Sequence, residues 1–522
     1  MSELPLVIRA LHERLHFRYR GPQPLAHFDT FWVDLADWKL SLTDRTPCIW
    51  VHKPEHQSRS AFDLAEEIRD AVRQGEWHVE VVLVLVEWQV PELREALKSA
   101  FTHAGHFTQF AVIDSGQQRA IFEAPSPTRS MQDLLLEQIP LAQLSPYETN
   151  RFVTGNRFFG RYGYLKKVLQ QPRANFLIMG IRRIGKSSLL HEVQRQLDLS
   201  DPLEPDQQRR VYLDCSVLQN EDDFYKEVIA QLSPRDVKRF ERQSQSQRFK
   251  AQMFHYLARQ QGGQITYLLD EVDGLLQNLG NDLSLFEVMR RASAKNGDAR
   301  FIIAGFRHLR RAVDTIDTPL YHFGEALTLK GFPPNEVREM VIEPLEKLRI
   351  KLENREEIAQ RIQRETAGQP NLVQFYCQTL LEQLENSSQR TLMVNHLNSV
   401  YENDDFRDFL LQTFLSNTLP LERAVVFAMV ARHHASGAEF SLKDIDTELY
   451  RRNLHIDFSQ LNEACRNLVT AGIINGPVNK QYNFSIPLFA RMLEETYSLD
   501  FVFDKARRDF LTAEALHAES IL

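Results

Sequence analysis

The sequence predicts an α/β protein in which a parallel-sheet core lies between a small α/β domain and a set of C-terminal helices. Three observations predict this class. A short apolar run at residues 175–179 leads through a glycine-rich turn into a helical pattern at residues 188–197. A second apolar run at residues 265–270 ends in acidic side chains, as a buried parallel strand often does. Strands and helices also alternate in the first 123 residues, which is typical of small α/β domains.

The composition is that of an ordinary globular protein. The chain has 522 residues, of which 43% are hydrophobic and 25% charged, and this length suits about three domains. The formal net charge of −8 counts against a large nucleic-acid footprint, because proteins with that role are usually basic. The four cysteines form no C-x-x-C pair, the N-terminus lacks a signal sequence, and the longest apolar run is too short to span a bilayer. We therefore expect a soluble cytoplasmic protein with no membrane segment.

Residues 1–140 are predicted to form a small α/β domain with a largely parallel sheet. Strands are expected at residues 47–51, 79–86, 110–114 and 119–123, and helices at residues 60–74 and 91–104. A turn is expected at residues 115–118 and a linker at residues 125–130, followed by a helix at residues 131–138. We favour a sensing or interaction module. A metal-nuclease core is the alternative, because carboxylates and a lysine lie in this part of the chain: Asp29, Asp34, Asp37, Lys39, Glu87 and Asp114.

The sequence GIRRIGKS at residues 180–187 fits the phosphate-binding pattern G-x-x-x-x-G-K-[ST] at every fixed position. A strand, a glycine loop and a helix in this order direct backbone N–H groups and a helix N-terminus at a phosphate. Gly180 and Gly185 let the backbone approach the phosphate oxygens, and Lys186 supplies a cation to the β- and γ-phosphates. Ser187 offers a hydroxyl group to Mg²⁺. The pattern predicts a site for ATP or ADP with Mg²⁺.

The sequence ITYLLDEVD at residues 265–273 supplies the carboxylates that such a loop needs. Ligands of open α/β sheets bind at the C-terminal ends of parallel strands. Asp270 is expected to help hold Mg²⁺ through water, and Glu271 to orient and deprotonate the attacking water. Lys186 and Glu271 are therefore predicted to be catalytic. A scaffold that binds ATP without turnover is a less favoured alternative, because it would have no need of Glu271.

The region around the loop resembles the AAA+ group of P-loop ATPases. The resemblance is carried by FFGR at residues 158–161 and by GIRRIGKSSLL at residues 180–190. Within the group, the region is similar to the signal-transduction ATPases called STAND and to bacterial and archaeal relatives of origin-recognition ATPases. The similarity covers about residues 150–495. It implies a P-loop ATPase core at residues 145–332, a helical lid at 333–415, a winged helix at 416–497 and a helical tail at 498–522.

The resemblance implies further contacts with the nucleotide. The segment before the loop would pack on the adenine base, and a G-x-P turn in the lid would begin a helix that approaches the nucleotide. Two more residues of the loop region are added as nucleotide-binding candidates. Together these candidates are Phe152, Val153, Phe159, Arg183, Ser188 and Pro370.

The position of the sensor residue departs from the AAA+ pattern. Many AAA+ proteins place a polar residue at the end of the strand after the acidic one, and here that place falls on Gly305. Arginines follow at once, and an arginine stabilises the charge that builds on a transferring phosphate. Arg307 is the predicted catalytic arginine. The rival candidates are Arg290, Arg291, Arg310 and Arg311.

The C-terminal region predicts helices at residues 421–433, 442–453 and 458–471, followed by two short strands within residues 472–484. Three helices and a hairpin form a winged helix-turn-helix, in which the third helix supplies base contacts when the domain reads DNA. The third helix here carries one cation, Arg466, opposed by Glu463. Duplex binding depends strongly on phosphate neutralisation. We therefore favour an intramolecular regulator over a DNA reader.

The sequence thus predicts an ATP-binding switch of the AAA+/STAND type with slow or regulated ATP hydrolysis. In this prediction ADP holds the motor, lid and winged helix closed, and exchange for ATP opens them and permits oligomerisation. Self-association or a protein partner is expected, and a role in signalling or defence is implied by the resemblance. The alternative is a DNA-binding AAA+ ATPase, a loader or regulator, that uses the winged helix.

Overall fold

The computed structural model describes residues 5, 8–9, 12–13, 18–35, 38, 40, 42, 45–75, 77, 81–102, 108–202, 208–243, 246–436 and 439–521. Within these ranges, the side chains of residues 156, 295–296, 433–436 and 516–521 are not described. The chain divides into two compact units. The first comprises Met1–Tyr147, Ile342–Glu353 and Cys377–Met393, and the second comprises Glu148–Val341, Asn354–Tyr376 and Val394–Leu522. The predicted boundaries of the ATPase core, the lid, the winged helix and the tail, within residues 145–522, stay predictions.

The first unit contains a five-stranded sheet with the strands in chain order. These strands are β1 Tyr19–Leu25, β2 Phe28–Val33, β3 Thr46–Val51, β4 Val81–Val86 and β5 Gln109–Ile113. The β1–β2 and β2–β3 pairs are antiparallel, whereas β3–β4 and β4–β5 are parallel, so the sheet is mixed rather than largely parallel. The helices are α1 Pro54–Gln57, α2 Ala61–Gln74, α3 Leu93–Thr102, α4 Ser115–Glu123, α5 Pro127–Gln138 and α6 Leu141–Leu144.

Two local predictions for the first unit are wrong. Residues 119–123 are not a strand after a turn but belong to α4. Asp114 starts this helix through a capping box, because its carboxylate accepts the N–H of Gln117 while the Gln117 side chain accepts the N–H of Asp114. The predicted linker is also partly helical, since α5 begins at Pro127, a residue suited to the first turn of a helix.

Some predicted features of this unit lie outside the described residues. They are residues 79–80 of the predicted strand, residues 103–104 of the predicted helix, and Asp37 and Lys39 of the nuclease alternative. Within the described part of the chain, no three or more His, Cys, Asp or Glu side chains are grouped so that they could hold a metal ion. None of the helices in that part has both the length and the apolar character needed to cross a membrane.

The second unit contains a parallel sheet in the order β10-β6-β9-β8-β7. Its strands are β6 Phe176–Met179, β7 Arg210–Asp214, β8 Ile265–Asp270, β9 Ala299–Gly305 and β10 Glu325–Thr328. β6, β8 and β9 are buried along their whole length, as their apolar sequences require. The sequence pattern at residues 327–332 predicts a last core strand there, but this prediction is misplaced, because β10 begins at Glu325 and ends at Thr328.

The helices that surround this sheet are α7 Tyr162–Gln170, α8 Lys186–Ser200, α9 Glu221–Leu232, α10 Val237–Gln243, α11 Gln247–Gln260, α12 Val272–Leu279, α13 Ser284–Arg291 and α14 Arg307–Asp314. The polar composition of residues 233–248 predicts an exposed insert or the surface of a helix. The segment includes the helix α10, most of whose residues are exposed, while its Phe240 is 2% exposed and belongs to a hydrophobic cluster with residues of the sheet. Val237 of the same helix also packs against this cluster, so apolar residues on one face of α10 hold the charged segment to the core.

The elements after the sheet begin with α15 Pro334–Lys347, β11 Lys351–Leu352, α16 Arg355–Thr366, α17 Pro370–Asn386, β12 Thr391–Leu392 and α18 Asp404–Ser416. The sequence pattern predicts lid helices at residues 336–348, 356–366 and 371–384, and these are present as α15 to α17. α18 is a fourth helix that the pattern does not predict. Pro370 begins α17, as proline commonly does at the first position of a helix.

The C-terminal elements are α19 Pro420–Ser436, β13 Phe440–Ser441, α20 Leu442–Arg451, α21 Phe458–Thr470, β14 Ile474–Val478, β15 Gln481–Phe484, α22 Phe489–Thr496 and α23 Leu499–Ile521. The predicted three helices and hairpin are present, and β13 extends the hairpin to the order β13-β15-β14. Their assignment as a winged helix stays a prediction. One hydrophobic cluster includes Ile178 and Leu190 of the parallel-sheet core together with Val425 and Leu468 of this region.

Candidate nucleotide-binding site

The glycine-rich loop between β6 and α8 borders a cavity of about 1070 Å³. Gly185 has a φ of +97°, in the left-handed region that favours glycine, and a Cβ atom there would meet no atom within 4 Å. A Cβ on Gly180 would lie 2.8 Å from the Cγ2 atom of Ile184. No side chain caps the N-terminus of α8, which begins at Lys186. The geometry therefore leaves the first turn of α8 suited to an anion.

Lys186 is a buried cation at the centre of the loop, with 3% of its surface exposed. Its Nζ atom donates to the carbonyl oxygens of Gly180 and Ile181, each at 3.1 Å, and lies 3.4 Å from the Oε1 atom of Glu271. A buried ammonium group needs such oxygen partners. Glu271 has a φ of +48°, which is uncommon for a residue with a side chain. The structure thus brings the two predicted catalytic residues of the loop and strand together.

Asp270 is buried at the end of β8, with 2% of its surface exposed. Its Oδ1 atom accepts the N–H of Glu271 at 2.9 Å, and its Oδ2 atom accepts the hydroxyl of Tyr212 at 2.9 Å. Burial and then the charge of Asp270 raise the pKa of Tyr212, so the hydroxyl keeps its proton and remains a donor. Ser187, Asp270 and Glu271 all line the cavity. Hydroxyl and carboxylate oxygens are the ligands Mg²⁺ prefers, so this set of donors fits the ion.

The segment before the loop lies along α8. The ring of Phe152 stacks on His191 with centroids 3.7 Å apart, and His191 stacks on Tyr212 at 4.1 Å. Phe152 is 53% exposed, so one ring face remains available to a ligand. Burial is the main cause that lowers the pKa of His191, which keeps its ring neutral at pH 7. The Oγ atom of Ser188 accepts the N–H of Val153 at 3.1 Å and so fixes the segment to α8.

The unpredicted helix α18 covers the other side of the loop. The guanidinium group of Arg183 lies 4.9 Å above the ring centre of Phe409. The backbone N–H of Arg182 donates to the Oδ1 atom of Asn417, the residue after α18, at 2.8 Å. Pro370, at the start of α17, is buried in the wall of the same cavity. Two helices beyond the sheet therefore enclose the loop.

The cavity wall includes most of the residues predicted for the site. They are Phe152, Val153, Phe159, Arg183, Gly185, Lys186, Ser187, Ser188, Asp270, Glu271 and Pro370. Gly180 is not in the wall, but its carbonyl oxygen accepts a hydrogen bond from the Nζ atom of Lys186. Arg307 and its four rivals Arg290, Arg291, Arg310 and Arg311 are also absent from the described wall.

Arg307 is instead bound to the C-terminal helices. Its Nη1 and Nη2 atoms donate to the Oε1 and Oε2 atoms of Glu422, in α19, at 2.5 and 2.6 Å. The Nη2 atom also donates to the carbonyl oxygen of Asn417 at 2.7 Å. The side chain of Glu422 is only 3% exposed and that of Arg307 is 22% exposed. This bidentate, largely dehydrated pair is the strong form of an arginine–carboxylate contact.

Gly305, at the position where many AAA+ proteins have a polar sensor residue, leaves space for the carboxylate of Asp273. A Cβ atom on Gly305 would lie 2.6 Å from the Oδ2 atom of Asp273. The Asp273 carboxylate accepts the backbone N–H groups of Phe306, His308 and Leu309, at the start of α14. Asp273 therefore caps the helix that carries Arg307, and a larger residue at position 305 would displace it.

Sequence reasoning missed four residues of this region: His191, Tyr212, Asn417 and Glu422. His191 lies on the helix predicted at residues 188–197, and Tyr212 lies on β7, which the pattern at residues 209–214 predicts. The sequence pattern does not show that their rings meet. Asn417 is 235 residues from Arg182, and Glu422 is 115 residues from Arg307. No local spacing signal links residues so far apart.

Comparison with protein families agrees with this site. Residues 170–313 match the family described as the AAA domain. The matched part contains the glycine-rich loop, Asp270 and Glu271. The chain therefore carries a P-loop AAA domain, and this class of domain binds nucleotide. No curated protein matches the chain.

Several solved structures have similar folds. One is the Walker-type ATPase PABY2304 of Pyrococcus abyssi, with 16% identity and a TM-score of 0.48, covering 67% of this chain and 99% of that chain. Another is the ORC2 protein of Aeropyrum pernix in ADPNP–ADP complexes, with 13% identity and a TM-score of 0.49, covering 70% and 98%. A third is the Aeropyrum pernix ORC1 protein in complex with DNA, with 15% identity and a TM-score of 0.36, covering 65% and 94%.

The ion pair of Arg307 with Glu422 should make a measurable contribution to stability. Replacing Arg307 by alanine leaves a buried carboxylate without its cation, so the free energy of unfolding should fall by about 3 kcal/mol. The Glu422→Gln change removes that charge, so in a double-mutant cycle the pair should show a coupling energy of about 2 kcal/mol. Urea unfolding of the four proteins measures both quantities. Arg311→Ala, an exposed change in the same helix, is the control, and additive effects of the pair would contradict the prediction.

Proposed function

We propose that the protein is a nucleotide-controlled switch of the AAA+/STAND type that binds ATP and hydrolyses it slowly. The observation that carries this proposal is the bridge formed by Asn417. Its side chain accepts the N–H of Arg182 in the loop at 2.8 Å, and its carbonyl oxygen accepts Arg307 at 2.7 Å. Arg307 in turn holds Glu422. Asn417, which is 4% exposed, therefore links the phosphate loop to the C-terminal helices.

In this proposal, ATP binding would move the side chain of Arg307 away from its present partners. Both of its terminal nitrogens are engaged by Glu422 and Asn417. A γ-phosphate is a more highly charged partner for a guanidinium group than a carboxylate is, and ADP does not offer one. Transfer of Arg307 to the γ-phosphate would release Glu422 and with it α19. A thousandfold change in the population of the open form needs a difference of about 4 kcal/mol between the two nucleotides.

The loop and the neighbouring segments would each bind a different part of the nucleotide. Lys186 and the backbone around Gly185 would take the β- and γ-phosphates, and Ser187 with Asp270 would hold Mg²⁺. When bound, Mg²⁺ would neutralise phosphate charge. The exposed face of Phe152 would stack on the base, as aromatic rings do on purines. Further contacts would come from Val153, Arg183, Ser188 and Pro370.

Glu271 would act as the base for hydrolysis. Its carboxylate would take a proton from water as the water oxygen bonds to the γ-phosphorus and the bond to the β–γ bridging oxygen breaks, giving ADP and phosphate. In the structure, the Oε1 atom of Glu271 lies 3.4 Å from the Nζ atom of Lys186, so the Glu271 carboxylate is held by this ion pair. Phosphate binding would draw the ammonium group away and free Glu271. The need for this rearrangement supports slow basal turnover.

The remaining parts of the chain would connect the switch to a signal. We assign residues 1–140 to sensing or output and residues 416–497 to a winged helix that reports the nucleotide state. Opening of the bridge would expose surface for self-association or for a protein partner. A role in signalling or defence would follow from a switch of this kind.

Two substitutions separate binding from hydrolysis. Lys186→Ala should weaken ATP and ADP binding at least tenfold, because it removes the cation that faces the phosphates. Glu271→Gln should keep the nucleotide affinity but lower kcat by about a hundredfold, the usual contribution of a general base. Phosphate release and binding of a fluorescent ADP analogue measure the two effects. The control is the exposed change Glu402→Gln. Turnover in Glu271→Gln equal to that of the wild type would contradict the role of Glu271 as the base, whereas wild-type turnover no higher than that of Lys186→Ala would leave the scaffold alternative in place.

The switch itself predicts a difference between ATP and ADP at the Asn417 bridge. In the Glu271→Gln protein, which should retain ATP, the amides of residues 417–423 should exchange hydrogen for deuterium faster with ATP than with ADP. Mass spectrometry of the full chain measures this difference at matched nucleotide occupancy. The Lys186→Ala protein should show none. Equal exchange with both nucleotides bound would count against the switch.

A specific observation favours the DNA-binding alternative. A cavity of about 560 Å³ lies between α14 and α21 and is lined by Arg310, Arg311 and Arg466, together with Asp314 and Glu463. The arginines of α14 thus supplement the single cation of the predicted recognition helix. Phosphate neutralisation by such a group would strengthen binding to a duplex. We therefore retain DNA binding as a second candidate function.

Salt dependence tests this candidate. If the cavity binds DNA, the double change Arg311→Ala and Arg466→Ala should weaken duplex binding, and the slope of log affinity against log salt should fall by about 0.9 for each phosphate that is no longer neutralised. Fluorescence anisotropy with a labelled duplex measures both. Arg491→Ala is the control, because Arg491 is exposed and lies outside the cavity wall. A duplex affinity unchanged by the double substitution would remove the cavity from consideration.

A further inference from the structure

Tyr212 connects the strand β7 to the carboxylate predicted to hold the metal. The strand register pairs Tyr212 with Leu268, two residues before Asp270 in β8. The Tyr212 hydroxyl donates to the Oδ2 atom of Asp270 at 2.9 Å, while the Oδ1 atom accepts the N–H of Glu271 at 2.9 Å. Each carboxylate oxygen therefore has one fixed donor. These two donors restrict rotation of the carboxylate and leave each oxygen able to accept a further hydrogen bond.

The ring of Tyr212 is itself held in place by α8, the helix that begins with Lys186. Tyr212 stacks on His191 with centroids 4.1 Å apart and planes inclined by 29°, and His191 stacks on Phe152 at 3.7 Å and 18°. Phe152, His191, Tyr212 and Asp270 line the same cavity. A column of three rings thus runs from the candidate base site to the candidate metal carboxylate. Supporting interactions of this kind usually decide how well a ligand group is oriented.

We propose that Tyr212 is a positioning residue for Mg²⁺ binding, whose hydroxyl orients Asp270 for the metal that arrives with the nucleotide. This inference rests on the proposed nucleotide function and adds a residue that the loop and strand motifs do not contain. Tyr212 acts through Asp270 and need not touch the nucleotide or the metal. Removal of its hydroxyl frees the carboxylate to rotate, so the metal loses a preorganised partner while the phosphate-binding loop stays intact.

A merely structural role for Tyr212 makes a different prediction. If the hydrogen bond only satisfies a buried carboxylate, its removal lowers stability and affects nucleotide binding equally with and without metal. If the ring stack alone matters, replacement by phenylalanine has no effect at all. The dependence of nucleotide binding on Mg²⁺ therefore distinguishes these roles from positioning.

The test compares Tyr212→Phe with the wild-type full chain in binding a fluorescent ADP analogue, first in EDTA and then over a series of Mg²⁺ concentrations. The expected affinity in EDTA is within about twofold of wild type, because the ring stack and the loop are kept. The Mg²⁺ concentration for half of the metal-induced change should rise about tenfold, the usual scale when a metal ligand is deprived of a supporting hydrogen bond. Phosphate release should show the same shift in Mg²⁺ dependence.

Tyr267→Phe is the matched control. Tyr267 lies on β8, is fully buried, and has a hydroxyl without a hydrogen-bond partner among the described residues. Its replacement should leave the Mg²⁺ dependence unchanged. The Asp270→Asn background provides a second test. Removing the Tyr212 hydroxyl there should cause no further shift in the Mg²⁺ dependence, because the carboxylate that the hydroxyl orients is absent.

The outcomes are distinct. A tenfold shift in Mg²⁺ dependence in Tyr212→Phe, absent in Tyr267→Phe and absent in the Asp270→Asn background, supports the proposal. An unchanged Mg²⁺ dependence, or an equal reduction of affinity in EDTA and in Mg²⁺, overturns the positioning role of Tyr212 but does not contradict the proposed nucleotide function. Failure of the wild-type protein to bind the ADP analogue under either condition overturns the proposed function itself.

Discussion

The burial of the Lys186 ammonium group is the constraint on which the site depends. A cation with 3% exposure must be surrounded by oxygen atoms, and the loop supplies two carbonyl groups while Glu271 supplies a carboxylate. Gly185 allows the loop to curve around the ammonium group, and the left-handed backbone at Glu271 turns its side chain towards it. The shape of the loop and the strained turn after β8 therefore both place oxygen atoms around the ammonium group of Lys186.

The same constraint extends to the C-terminal helices. Glu422 is as deeply buried as Lys186 and has Arg307 as its cation. Separation of such a pair costs several kcal/mol unless another partner takes the freed charge. Under the proposed function, the γ-phosphate is that partner for Arg307. A buried ion pair between the ATPase core and α19 is thus suited to respond to nucleotide, because only a charged ligand can replace either half.

The sequence predicts elements well where one signal dominates. β8 lies at residues 265–270 as its apolar run indicates, and the loop, α8 and the C-terminal hairpin also lie where predicted. The strand predicted at residues 119–123 is wrong because a five-residue mixed pattern fits a strand and a helix equally. The capping box between Asp114 and Gln117 decides the outcome, and it lies before these five residues.

The contacts that relate the site to the rest of the unit could not be predicted in this way. Arg182 meets Asn417 across 235 residues, Arg307 meets Glu422 across 115, and Tyr212 meets Asp270 across 58. Motifs describe residues whose spacing is set by one loop or one helix, whereas these pairs depend on how separate elements pack. Their partners are ordinary polar residues without a motif. The sequence can therefore predict where a phosphate binds, and the packing of α18 and α19 is needed to infer which contacts the phosphate would change.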